Sequence, residues 1–188
     1  MEISLIRHGR SLCVDDKRMS CTAFKKWVEK YDSSGVVTEH NYPKQTVAKI
    51  NNANLVITSD LKRSIHSAQL LKEEMPLLSD SMFREVELPV IHVPARVKLK
   101  PNTWAVMVRC LWFSGYSNSC ESFKEAKKRA EQAAQSLIAY AKEHQFVTVV
   151  GHGFFNIMIA KELQKAGWNA DQKINGKHWN CSAYTLMK

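Results

Sequence analysis

The sequence predicts an α/β layered fold. Three observations carry this. Short apolar runs of the buried-strand type alternate along the chain with segments of helical spacing. Several of those runs end in glycine, serine or charged residues that open the next helix. The length of 188 residues, with 45% hydrophobic and 24% charged residues, suits one globular domain and excludes wholesale disorder.

Taken in order, Glu2–Ile6 reads as a short strand. The segment 22–30 reads as a helix, with Phe24, Trp27 and Val28 on one face. Pro43 opens a second helix to about Asn51. Leu55–Thr58 is a strand of the buried type. Ser59 or Asp60 is placed to cap the helix expected over 61–74. Val90–Val93 reads as a third strand, and a helix is possible at 103–113. Ser122-Phe-Lys-Glu125 has the form of a capping box and starts a long helix to about His144. Its stripe of Phe123, Ala126, Ala130, Ala134, Leu137 and Ala141 is expected to pack on the core. Phe146–Val150 is the fourth strand, a helix follows over 153–165, and 182–187 is the last strand.

The formal charge is +9. The surplus is shared by both halves of the chain, and no basic arm or tail gathers it. A scattered surplus is a solubility feature, so nucleic acid is not expected as a partner. The longest apolar run, Trp104 to Phe113, is broken by Arg109 and is too short to span a bilayer. The apolar stretch at the N-terminus is cut short by Arg7, unlike a secretory signal. The five cysteines, Cys13, Cys21, Cys110, Cys120 and Cys181, are odd in number and form no Cys-x-x-Cys pair. Reduced thiols in a cytoplasmic protein are expected.

The chemistry gathers after three of the strands. Arg7-His8-Gly9 follows the first, Ser59-Asp60-Leu61-Lys62-Arg63 the second, and Gly151-His152-Gly153 the fourth. In α/β sheets the ligand crevice lies at the carboxyl ends of the strands. Two arginines and two histidines therefore stand where a pocket forms, and helix N-termini add partial positive charge and free N–H groups. The combination suits a compact dianion. His40, His66, His92, His144 and His178 lack such company and are read as ordinary surface or core residues.

Leu5-Ile6-Arg7-His8-Gly9, Ser59-Asp60-Leu61-x-Arg63-Ser64 with Ser67-Ala68, Arg84-Glu85, Glu121-Ser122-Phe123 with Arg129, and Gly151-His152-Gly153 together resemble the motifs of the histidine phosphatase superfamily, the phosphoglycerate-mutase-like proteins. They come in the family's order over residues 2–187. The resemblance implies a three-layer α/β/α sandwich with a mostly parallel central sheet and a small, partly helical cap. It implies a single domain over 1–188, with cap insertions around 10–42 and 94–120. It implies a hydrolase acting on a small phosphomonoester, with His8 as nucleophile. Arg7, Arg63 and His152 would stabilise the phosphoryl oxygens, and Glu85 would be the acid. Glu87, two positions on, would share a face with Glu85 in an extended segment. No cofactor or metal is expected.

The family's Glu-Thr after Arg-His-Gly is replaced by Arg10-Ser11, and its Arg-x-Gln-Gly run by Asp15-Asp16-Lys17-Arg18. Arg10, Ser11 and Arg18 are therefore candidate substrate contacts. The departures also admit a phosphoryl-binding regulatory protein with little turnover. A phosphomutase fits less well, because such members carry longer insertions.

Overall fold

The computed structural model describes residues 1–73, 77–172 and 174–186. A six-stranded sheet forms its centre. The strands are β1 (Glu2–Arg7), β2 (Leu55–Thr58), β3 (Leu77–Ser79), β4 (Phe146–Gly151), β5 (Trp168–Ala170) and β6 (Cys181–Leu186). Their order is β3-β2-β4-β1-β6-β5. The pairs β3–β2, β2–β4 and β4–β1 are parallel, while β6 runs antiparallel to both β1 and β5.

The helices are α1 (Cys21–Asp32), α2 (Lys44–Asn51), α3 (Lys62–Leu71), α4 (Pro101–Phe113), α5 (Phe123–His144) and α6 (Gly153–Lys165). Side-chain alternation along the strands feeds two cores. Ile3, Leu5, Ile57, Val147 and Val149 pack beneath α5 and α6. Ile6, Val56 and Val150 face the other way, onto Ile50 of α2 and Ala68 of α3. The result is the expected three-layer sandwich. In α5 the small residues Ala126, Ala130, Ala133, Ala134 and Ala141 are buried, which lets the helix lie close to its neighbours. The capping box at Ser122 and Glu125 forms as the sequence predicts.

The cap has a small core of its own. Phe24 of α1 stacks on Trp27 and on Trp104 of α4, with ring centroids 5.9 and 6.1 Å apart. Met19 and Leu99 bridge the loops leading into the two helices. The segments 10–42 and 94–120, distant in sequence, thus meet through this cluster.

Four expectations need correction. Val90–Val93 is not a strand. Its backbone is irregular, and Ile91 and Val93 pack into the cap cluster. The third strand is Leu77–Ser79, so Glu85 follows it instead of preceding it. Neither Ser59 nor Asp60 caps α3, whose N-cap is Leu61. Phe123 lies outside the buried stripe, half-exposed against the rings of Trp112 and Phe113. The short strand β5 has no counterpart in the sequence reading. The helix expected over 61–74 ends at Leu71, and residue 74, like Met187 of the last strand, lies outside the described residues.

Candidate active site

Strand register assembles the site. Arg7 pairs with Gly151, and Thr58 with Val150, across three adjacent parallel strands. The residues that follow, His8, His152 and Ser59, therefore emerge side by side at the carboxyl ends. The rings of His8 and His152 stand edge to face, 5.1 Å apart, and both are buried.

Three serines of the second motif brace this arrangement. Ser59 Oγ lies 2.6 Å from His152 Nε2. Ser64 Oγ donates to the Val150 carbonyl. Ser67 Oγ accepts the Gly9 N–H at 2.9 Å and donates to the Arg63 carbonyl. Gly9 has no room for a side chain, because a Cβ would stand 2.1 Å from the Trp179 ring.

The imidazole of His8 is oriented for nucleophilic use. Its Nδ1 faces the Gly9 carbonyl at 2.7 Å, and a carbonyl only accepts. Nδ1 therefore carries the proton, and Nε2 keeps its lone pair. Burial, then Arg63 and Arg7, hold the His8 pKa well below the ordinary histidine value, despite the opposing hydrogen bond to Gly9. His152 is held well below that value by the same causes, burial first. Both rings are neutral near pH 7.

Three cation-bearing or donor side chains share one pattern. Each is clamped at one end by the protein and leaves another nitrogen buried with no partner. Arg7 donates through Nη1 to the Gly176 carbonyl, and its Nε is left over. Arg63 donates through Nη1 to Asp32 Oδ1 at 2.7 Å, and its Nε is left over. His152 meets Ser59 through Nε2, and its Nδ1 is left over. An unpaired buried polar nitrogen is costly, so three of them, on β1, on α3 and just after β4, suit a bound anion.

Glu85 occupies the start of α6. Its Oε1 accepts the N–H groups of Val86 and Phe155, and its Oε2 that of Phe154, all at 2.9–3.0 Å. The N–H groups expected to be free at this helix end are thus engaged by a carboxylate, a partner favoured by the helix dipole. Two arginines hold the segment that carries it. Arg129 of α5 donates to the carbonyls of Met82 and Arg84, and Arg109 of α4 to those of Val86 and Glu87. Glu87 itself is exposed, and its carboxylate has no hydrogen bond among the described residues.

The candidate substrate contacts fare unequally. Arg10 is exposed beside the pocket, near enough to help lower the pKa of His178. Ser11 is buried, and its hydroxyl accepts the Cys13 N–H in a local turn. Arg18 is exposed, with no side-chain hydrogen bond or ion pair among the described residues.

Sequence reasoning missed part of one wall. His178, read as an ordinary histidine, lies 5.5 Å from the His8 ring, and its Nδ1 donates to the His8 carbonyl at 3.1 Å. The same loop between β5 and β6 supplies Gly176 to Arg7. Tyr31 and Asp32, at the end of α1, reach the same wall. The Tyr31 ring centroid is 4.8 Å from the Arg63 guanidinium carbon. No local motif marks these residues. Arg109, an arginine interrupting an apolar run, was the one visible signal of a buried role on this side.

Comparison with known proteins agrees with this geometry. The profile of the histidine phosphatase superfamily (branch 1) matches residues 43–187. No curated protein sequence matches the chain. Among solved structures, a mycobacterial glucosyl-3-phosphoglycerate phosphatase superposes with a TM-score of 0.60 at 17% identity, covering 97% of this chain and 91% of that one. A phosphoserine phosphatase from Entamoeba histolytica, in complex with 3-phosphoglyceric acid, gives 0.58 at 13% identity, covering 97% and 89%. An alpha-ribazole phosphatase from Shigella flexneri gives 0.52 at 17% identity, covering 87% and 79%. At such identities the likeness is one of fold. Among the described residues, no helix is long and apolar enough to cross a membrane.

Proposed function

Because the chain belongs to the histidine phosphatase superfamily (branch 1), we propose that it hydrolyses a small phosphomonoester through a phosphohistidine on His8. The observation that carries this reading is the set of three buried, unpartnered nitrogens, Arg7 Nε, Arg63 Nε and His152 Nδ1, beside a histidine whose Nε2 is free.

In the first step His8 Nε2 attacks phosphorus, and the ester P–O bond breaks. Negative charge on the phosphoryl oxygens is met by the two guanidinium groups and by the His152 Nδ1–H, in the tautomer in which the Ser59 hydroxyl donates to Nε2. These donors are already in place, so little reorganisation accompanies charge development. The departing alkoxide takes a proton from Glu85, which enters this step as the carboxylic acid and leaves it as the carboxylate. In the second step Glu85 accepts a proton from water as that water attacks the phosphohistidine. Inorganic phosphate leaves, and His8 is regenerated. Splitting one displacement into two gives each step a better nucleophile or leaving group.

The solved relatives with this fold are named for phosphate esters of small molecules, and the shared fold supports that substrate class here. The proposed steps use no metal and no cofactor.

p-Nitrophenyl phosphate tests the reading. The wild-type protein should release p-nitrophenol, with and without EDTA, and His8→Ala should reduce release to background. Equal rates for wild type and His8→Ala would end this reading. Loss of activity in EDTA would end its metal-free form.

A further inference from the structure

The clamps on the three site nitrogens differ in charge. Arg7 is held by a neutral carbonyl, that of Gly176, and His152 by a neutral hydroxyl, that of Ser59. Arg63 is held by a carboxylate, that of Asp32. This carboxylate comes from the cap, being the last residue of α1. The Arg63 side chain is 3% exposed and that of Asp32 43%, so the carboxylate lies on the solvent side of a buried cation. Tyr31, one residue earlier, lays its ring against the same guanidinium.

We propose that Asp32 is a positioning residue of the phosphoryl site, acting both to aim Arg63 and to weaken the pocket's hold on inorganic phosphate. This rests on the reading of the pocket as a phosphoryl site.

The aiming follows from geometry. A planar guanidinium gripped at Nη1 and stacked on an aromatic ring has little freedom left, and its Nε stays directed where no protein atom meets it. The weakening follows from charge. Arg7 and Arg63 are both permanently protonated, and the histidines beside them are neutral. The buried guanidinium of Arg63 beside the half-buried one of Arg7 would, without a counter-ion, hold a released dianion tightly. Asp32 sets one negative charge against that attraction at the pocket's mouth. A substrate needs the donors during phosphoryl transfer, whereas the product must leave. A carboxylate on the solvent side serves both needs.

Two variants separate the two effects. Asp32→Asn keeps an oxygen facing Arg63 Nη1 and removes the charge. Asp32→Ala removes both. Inorganic phosphate binding, measured by calorimetry, should tighten about tenfold in Asp32→Asn, the scale of one charge acting across a partly screened site. Hydrolysis of p-nitrophenyl phosphate should show product inhibition at correspondingly lower phosphate. In Asp32→Ala, kcat/KM should fall about tenfold below that of Asp32→Asn, because the aim is lost as well. A purely structural role predicts weaker phosphate binding in both variants, in step with a lower unfolding midpoint. Phosphate binding in Asp32→Asn that is no tighter than in wild type would overturn the proposal. So would a wild-type protein that binds no phosphate. Phosphate that binds as described to a protein that hydrolyses nothing would overturn the hydrolase reading and leave this inference standing.

Discussion

The strand ends and the cap contribute to one pocket by different means. At the strand ends, each functional residue sits within two positions of a parallel strand or at a helix start. Arg7, His8 and His152 are placed by backbone pairing that extends to Arg7 and Gly151. In the cap, Tyr31 and Asp32 reach Arg63 only because α1 and α4 fold onto each other through Phe24, Trp27 and Trp104. The first half is rigid with the sheet. The second is held by a separate small cluster. Arg7, His8 and His152 thus hang on the sheet, whereas the partners of Arg63 hang on the cap.

The sharpest test of that division is the acid. Glu85→Gln should slow hydrolysis of an alkyl phosphate about 10²–10⁴-fold, the usual range for a positioned general acid. The loss should be smaller with p-nitrophenyl phosphate, whose leaving group needs no proton. Glu87→Gln should do little, because its carboxylate is exposed. The reverse order of the two variants would move the acid off the α6 start.

Trp104→Ala attacks the cap instead. Truncating a fully buried tryptophan costs about 3–5 kcal/mol. Hydrogen exchange should show faster amides in α1 and α4, while β4 and α6 stay protected. Uniform acceleration across the molecule would show that the cap and sheet are one cooperative unit.

Ser59→Ala should lower kcat about tenfold, the worth of roughly one hydrogen bond, by freeing His152 Nε2 from its partner. An unchanged kcat would show that packing alone orients the ring.

The smallest effect is on stability against pH. His8 and His152 have folded pKa values held well below the ordinary one. Below about pH 6.5 the unfolded chain thus binds more protons than the folded one. The contribution is complete above that pH and is lost as the pH falls through it. The urea midpoint should drop between about pH 7.5 and about pH 5.5. The drop should be shallower when both histidines are replaced by alanine. An identical slope would mean that other groups set the acid sensitivity.

The same contrast explains what the sequence made legible. Arg7, His8, Arg63 and His152 carry local signatures, because strand ends and helix starts are set by neighbours in sequence, whereas Glu85, in the irregular segment after β3, was reached only through the family resemblance. Their convergence followed from the α/β pattern. Val90–Val93 misled because an apolar β-branched run looks the same whether it enters a sheet or packs under a cap. Leu77–Ser79, at the sheet edge and half-exposed, gave no such run. His178 and Asp32 were invisible as site residues because only tertiary packing brings them to His8 and Arg63. Ser59 was recognised as a helix-start residue, but its bond goes to His152, on a different strand.

In the proposed cycle His8 carries the phosphoryl group between the two steps. Rapid acid-free quenching during turnover of a labelled phosphomonoester, followed by peptide mapping, tests it directly. An acid-labile, base-stable phosphoryl group is expected on His8 in the wild type, accumulating further in Glu85→Gln, where its hydrolysis is slowed. Turnover with no label on His8, or label on another residue that persists in His8→Ala, would contradict it.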